Sequence, residues 1–228
     1  MFQHIVGPVF FRTSMGFDSN IVLIKTDNRV VLVDTGTGMH ASSIERELQS
    51  IGVTYEDVTD IVLTHSHIDH IGGVPAILKA GEPKIYLHKE EADRINSGDM
   101  TLTLASTFGA QLPPLRIDVA LKEGDVLTFD NVKLHVYHTP GHSIGSICLH
   151  EKRLNLLITG DTMFPGGSFG RVDFPTGNPA ALVASLKRIA ELDFEIALAG
   201  HMNAITHDAK RSAMYSYEMA RSMFTGPL

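Results

Sequence analysis

Thr64-His65-Ser66-His67-Ile68-Asp69-His70 is the stretch on which the reading of this chain turns. It follows the apolar run 61–63 and precedes Gly72-Gly73. In extended backbone, residues two apart point the same way, so His65 and His67 can share one metal ion. Asp69 and His70 come after the chain turns and can reach a neighbouring ion. Imidazole nitrogen and carboxylate oxygen are the ligand types of zinc and similar divalent ions. A polar loop that merely contains histidines is the alternative, since this pattern arises by chance in roughly one such sequence in five hundred.

The rest of the chain argues against chance. His142 lies in Thr139-Pro140-Gly141-His142-Ser143, Asp161 in Thr159-Gly160-Asp161-Thr162, and His201 in Gly200-His201. Each follows an expected strand and sits beside glycine. Strand ends present side chains at one rim, and glycine lets backbone approach closely.

Around these points the periodicity alternates strands with helices. The runs 20–26 and 29–34 flank Asp27-Asn28 and read as a hairpin. Ser42 with Glu45 reads as a capping box for a helix carrying Ile44, Leu48 and Ile51, closed by Gly52. Short strands are expected at 61–63 and 85–87, then a helix around 89–94. Residues 96–117, with Gly98, Gly109, Pro113 and Pro114, read as an insertion in a single domain spanning 1–228, with a helix near 102–108. Strands follow at 118–121, 126–129 and 132–137, and a hairpin at 146–150 and 154–159. Asn178 caps a helix with Pro179 at its first position. A strand at 196–199 and a helix at 209–223 close the chain. The final helix is expected to pack Met214, Met219 and Met223 onto the core. A weak repeat also emerges. Residues 21–33 ending in Asp34, and 147–160 ending in Asp161, each run strand, turn, strand, Asp, which suggests two similar halves of layered sheet and helix.

Composition narrows the classes. The chain has 228 residues, 43% hydrophobic and 20% charged, which is enough apolar content for a core and excludes disorder. A net charge of -7 argues against general nucleic-acid binding. The single cysteine, Cys148, excludes an internal disulfide and reads as a small buried hydrophobe in a strand. No signal peptide and no apolar run of membrane-spanning length is present, so a soluble, cytoplasmic protein acting on a small molecule is expected.

The order H-x-H-x-D-H, TPGH, GDT, GH, running from Asp34 to His201, resembles the metallo-β-lactamase superfamily. The resemblance implies an α+β fold, the αββα four-layer sandwich, with two mixed sheets packed face to face and helices outside. It implies two divalent metal ions, zinc first, with iron or manganese as alternatives. It assigns His65, His67 and His142 to one ion, Asp69, His70 and His201 to the other, and Asp161 to both. Asp34 would support the site without binding metal. Asp161 stands where the best-known zinc β-lactamases carry Cys, and His67 where flavodiiron proteins carry Glu. The superfamily's nucleases carry a large extra domain for which there is no room.

Residues 170–175, Gly-Arg-Val-Asp-Phe-Pro, resemble a segment of glyoxalase II-like proteins. The function expected is therefore thioester hydrolysis by a hydroxide bridging two ions, with Asp69 accepting a proton. A lactonase is the alternative, and an iron persulfide dioxygenase the third. Arg171 could meet a substrate carboxylate, although a loop-shaping contact with Asp173 is the plainer reading. Phe164, Phe169 and Phe174 could line a pocket or pack the loop. Glyoxalase II itself continues into a glutathione-binding domain. Only 27 residues follow His201 here, so the glutathione portion of a substrate is expected to contribute little.

Overall fold

A computed structural model describes residues 1–14 and 16–226. The chain divides into two compact units, Met1–Leu121 with Phe129–Asn131, and Lys122–Thr128 with Val132–Leu228.

The first unit is built on a seven-stranded sheet: β1 (Gln3–Val6), β2 (Val9–Arg12), β3 (Ile21–Lys25), β4 (Val30–Val33), β5 (Asp60–Val62), β6 (Lys84–His88) and β7 (Val119–Leu121), paired in that order. β1 to β4 run antiparallel; β4 to β7 run parallel. The hairpin expected at Asp27-Asn28 forms, with Thr26 N donating to Arg29 O at 2.9 Å. Every residue of Ile21–Ile24 is buried, so β3 is covered on both faces, as central strands of partly parallel sheets require. One face packs Ile21, Leu23, Leu32, Ile61 and Ile85 against Ile44 and Leu48 of helix α1 (Ala41–Gln49).

Three further helices follow in this unit: α2 (Ile68–Ile71), α3 (Val74–Leu78) and α4 (Lys89–Asn96). Two expectations change here. α1 begins at Ala41, one residue before Ser42, and His40 stands at its cap without a side-chain cap bond, so Ser42 forms no capping box. The positive φ of Gly38 (84°) turns the chain early and brings Ala41 N to Gly38 O at 3.2 Å. Within 96–117 the helix expected near 102–108 is only a 3-10 turn, Thr101–Thr103, stopped by left-handed Leu104. The segment is nonetheless packed, with Leu102, Leu104, Ala105, Leu115 and Ile117 buried.

The second unit holds most of a five-stranded sheet in the order β12-β11-β10-β9-β8. Its strands are β8 (Val126–Phe129), β9 (Val132–His138), β10 (Ile147–Glu151), β11 (Leu156–Gly160) and β12 (Ile196–Ala199). β9, β10 and β11 are antiparallel neighbours, and β11 runs parallel to β12. Helices α5 (Pro179–Ala190) and α6 (Ala209–Thr225) belong to this unit. Asn178 caps α5 as expected, its side chain accepting from Ala181 N at 3.0 Å.

The internal repeat is present in the pairing. In each unit a hairpin ends in an Asp, and its second strand then pairs in parallel with a strand reached through a helix: β4 with β5, and β11 with β12. The methionine expectation fails. The buried face of α6 is Ala209, Ala213, Ser216 and Ala220, small residues that let it lie close against α5. Met214, Met219 and Met223 therefore point to solvent at 47%, 54% and 63% exposure. Among the described residues, no helix is long and apolar enough to cross a membrane.

Cys148 lies in β10, fully buried, and burial pushes its thiol up to about 11. At mildly alkaline pH a thiol reagent should leave the folded protein unlabelled and modify it once denaturant is added. Rapid labelling of the native chain would show that β10 opens.

Candidate functional site

The histidine-rich stretch folds as its sequence requires. β5 ends at Val62, residues 63–67 lie in neither strand nor helix, and α2 starts at Ile68 with His67, itself extended, as its cap. His65, His67, Asp69 and His70 are all buried. His65 Nε2 and His67 Nδ1 meet at 3.1 Å, as two-residue alternation predicts. A shared cation or a single proton between them satisfies both nitrogens. Asp69 and His70 follow on the first turn of α2, with Asp69 Oδ2 3.5 Å from His70 Nε2. The Asp69 main-chain oxygen accepts from Ser19 N at 3.0 Å, which ties this turn to the loop before β3.

Asp34 organises the same stretch from the end of β4. Its carboxylate accepts from Thr64 N, Thr64 Oγ1 and His70 Nδ1, each at 2.8 Å. Its φ of 61° is a conformation that Asp and Asn tolerate better than most residues. The bond from His70 Nδ1–H to Asp34 makes Nε2 the ring nitrogen suited to act as a ligand. Thr64 continues the network, its hydroxyl lying 3.1 Å from His65 Nδ1.

The second unit carries the other three candidates. His142 and Asp161 are buried, and the side chain of His201 is 27% exposed. Asp161 directly follows β11, and one of its oxygens, Oδ2, lies 3.5 Å from both His142 Nε2 and His201 Nε2. His142 Nδ1–H donates to the Arg171 main-chain oxygen at 2.7 Å, which again leaves Nε2 toward the carboxylate. Two glycines make this geometry possible. Gly141 adopts φ 142°, and a side chain there would collide with the backbone of Leu182 on α5. A side chain on Gly170 would overlap the Asp161 main-chain oxygen and crowd the His142 ring, 2.9 Å from its Nδ1.

Buried imidazoles and carboxylates of this kind are the donor set of zinc, iron and manganese, and burying such carboxylates is costly unless they are paired or bind a metal. The residues fit the group that the sequence implied. The segment 170–175 is placed differently from a simple substrate clamp. Arg171 forms a two-pronged bridge to Asp173, 2.9 Å from Nε and 2.6 Å from Nη2, and both are exposed. That bridge holds the Asp173 carboxyl below its usual range. Phe164 stands edge-on to His201 with ring centroids 5.9 Å apart, whereas Phe169 packs against Phe224 of α6. Three contributors were not read from the sequence: the Thr64 hydroxyl, Ser19 N and the Arg171 main-chain oxygen. Thr64 adjoins the motif, but main-chain donors and acceptors leave no mark in residue identity.

With this geometry in view, the comparisons are direct. The chain belongs to the Metallo-beta-lactamase superfamily, whose family model matches residues 15–201. It is 31% identical, over 81% of its length and 86% of the relative's, to hydroxyacylglutathione hydrolase GloC of Haemophilus influenzae. It is 30% identical, over 82% of its length and 74% of the relative's, to acyl-coenzyme A thioesterase MBLAC2 of Gallus gallus. Among solved structures it is similar to TTHA1623 in a di-iron-bound form, with 29% identity and a TM-score of 0.71 over 92% of this chain and 96% of that one. The two mixed sheets of seven and five strands with their helices match this fold, as the sequence implied.

Replacing Asp34 by Ala would leave Thr64 N, Thr64 Oγ1 and His70 Nδ1 without their shared buried acceptor. Asp34→Ala should lower the unfolding free energy of the chelator-treated protein by about 3 kcal/mol. Asp34→Asn, which tolerates the same φ, should recover part of that loss. Equal stabilities in denaturant titrations would contradict this account of Asp34.

Proposed function

We propose that this protein is a dinuclear metal-dependent hydrolase that cleaves thioesters. In this reading His65, His67 and His142 would hold one ion, Asp69, His70 and His201 would hold the second, and Asp161 would serve both. The closeness of His65 to His67 within the first unit, and of His142 and His201 to Asp161 within the second, supports the assignment. The observation that carries it is Asp161 Oδ2, equidistant at 3.5 Å from two imidazole nitrogens. A carboxylate placed so is suited to join two positive centres.

When bound, two divalent ions supply Lewis acidity and bring the acidity of water toward neutral pH. The protein's own groups do the rest. Asp34 and the Arg171 main-chain oxygen keep His70 and His142 in the tautomer that offers Nε2. Asp69 Oδ2, held by the turn pinned at Ser19, takes the proton of the attacking water. Phe164, beside His201, forms one wall for the acyl group. The leaving thiolate has a parent pKa of about 8.5 and needs little acid assistance. That suits a site whose named polar side chains are all engaged as ligands or their supports. Two similar proteins carry names for thioester hydrolysis, one on acyl-coenzyme A and one on hydroxyacylglutathione. Zinc is the ion proposed first; iron remains open because the similar TTHA1623 was solved with two irons.

A panel of acyl-coenzyme A and lactoyl-glutathione thioesters, acyl-homoserine lactones and glutathione persulfide tests this. Thioesters should be turned over with kcat/KM at least about tenfold above any lactone, a difference of about 1.4 kcal/mol in transition-state binding. Preference for lactones, or oxygen uptake on persulfide without thiol release from thioesters, would sink the reading.

A further inference from the structure

The loop 170–178 grips the stretch 141–144 along its length. Gly170 lies under the His142 ring, and the Arg171 main-chain oxygen takes His142 Nδ1–H at 2.7 Å. Phe174 meets the His142 ring edge-on, with centroids 5.9 Å apart and planes at 85°. Thr176 Oγ1 accepts from Ile144 N at 3.2 Å, and Asn178 N donates to Gly141 O at 2.8 Å. What keeps this loop in shape is on its outer side. The Arg171 guanidinium lies over the Phe174 ring at 4.7 Å while Asp173 binds it through two nitrogens.

We propose that Arg171 is a positioning residue: clamped by Asp173 and stacked on Phe174, it holds the 170–178 loop so that His142 is fixed with Nε2 offered to a metal ion. This rests on the metal-site reading above. A ligating histidine needs its other nitrogen protonated and hydrogen-bonded, and removal of such outer partners weakens metal binding. The Arg171 carbonyl supplies that partner, and its own side chain stabilises the loop that presents the carbonyl. With Nε and Nη2 both directed at Asp173, one two-pronged edge of the guanidinium is already occupied. As a plain surface ion pair the Arg171–Asp173 bridge would matter little. Its place at the outer end of a guanidinium–phenyl–imidazole stack gives it a function that its exposure alone does not suggest.

Stepwise zinc titration against a competing chelator, run on the whole protein, tests the stack in Arg171→Ala, Arg171→Lys and Phe174→Leu. Arg171→Ala and Phe174→Leu should each weaken one zinc-binding step by about tenfold or more. At saturating zinc, KM for an anionic acyl-coenzyme A and for an uncharged short thioester should both stay within about twofold of wild type. Arg171→Lys, which keeps the cation over Phe174, should recover part of the zinc affinity. Arg171→Ala with wild-type zinc affinities and a raised KM for the anionic thioester alone would overturn the proposal and make Arg171 a substrate contact. Should Arg171→Ala fail to fold, Phe174→Leu decides, because it leaves the ion pair in place; unchanged zinc affinities there overturn the stack. A wild-type chain that takes up a single zinc sinks the two-ion reading, while the variants' affinity for that one ion still decides the role of Arg171.

Discussion

Burial of carboxylates among imidazoles is the constraint from which the rest of this structure follows. Asp69, Asp161 and Asp34 are all nearly inaccessible to solvent, and each lies within hydrogen-bonding or ion-pair reach of a histidine. Charged groups removed from water need compensation of comparable strength. Asp34 receives it from three protein donors, with no cation required. Asp161, facing two imidazoles through one oxygen, is arranged differently, and on the proposed reading a pair of metal ions is what it awaits. On that reading Asp34 is a supporting carboxylate and Asp161 a ligating one.

The backbone is shaped to make that arrangement possible. Each unit delivers its donors just past the ends of adjacent strands: β4 and β5 lead to Asp34 and His65, and β11 and β12 lead to Asp161 and His201. Parallel neighbours end side by side, so residues far apart in sequence come to one edge of their own sheet. Glycine then allows the approach that side chains would block, at Gly141 against α5 and at Gly170 against Asp161. The two hairpins ending in Asp34 and Asp161 follow one pattern, yet their carboxylates have diverged, one bonded to the backbone and side chains beside it, the other directed at two histidines.

Much of this was legible because it rests on periodicity and residue type. The hairpins at 21–33 and 147–160, the Asn178 cap and the strand-end placement of His65, His142 and Asp161 all announce themselves in the sequence. The N-terminal hairpin of β1 and β2 and the short α3 were not anticipated, the strands being four residues each and α3 five, too brief for a clear period. The methionines of α6 misled because hydrophobicity says nothing about which face can come close; the alanines did. Arg171 was ambiguous in sequence because its charge suits a substrate or a neighbour equally; in the structure it is bridged to Asp173 and lies over the Phe174 ring. Main-chain partners such as the Arg171 oxygen lie beyond any reading of residue identity.

The central claim is that these buried histidines and aspartates exist to hold two metal ions. Elemental analysis of protein purified without chelator measures this most directly. The account predicts about two transition-metal ions per chain, since seven ligand-type side chains exceed the roughly four that one ion uses. A firm ratio of about one ion per chain, unchanged on incubation with excess zinc, would contradict it.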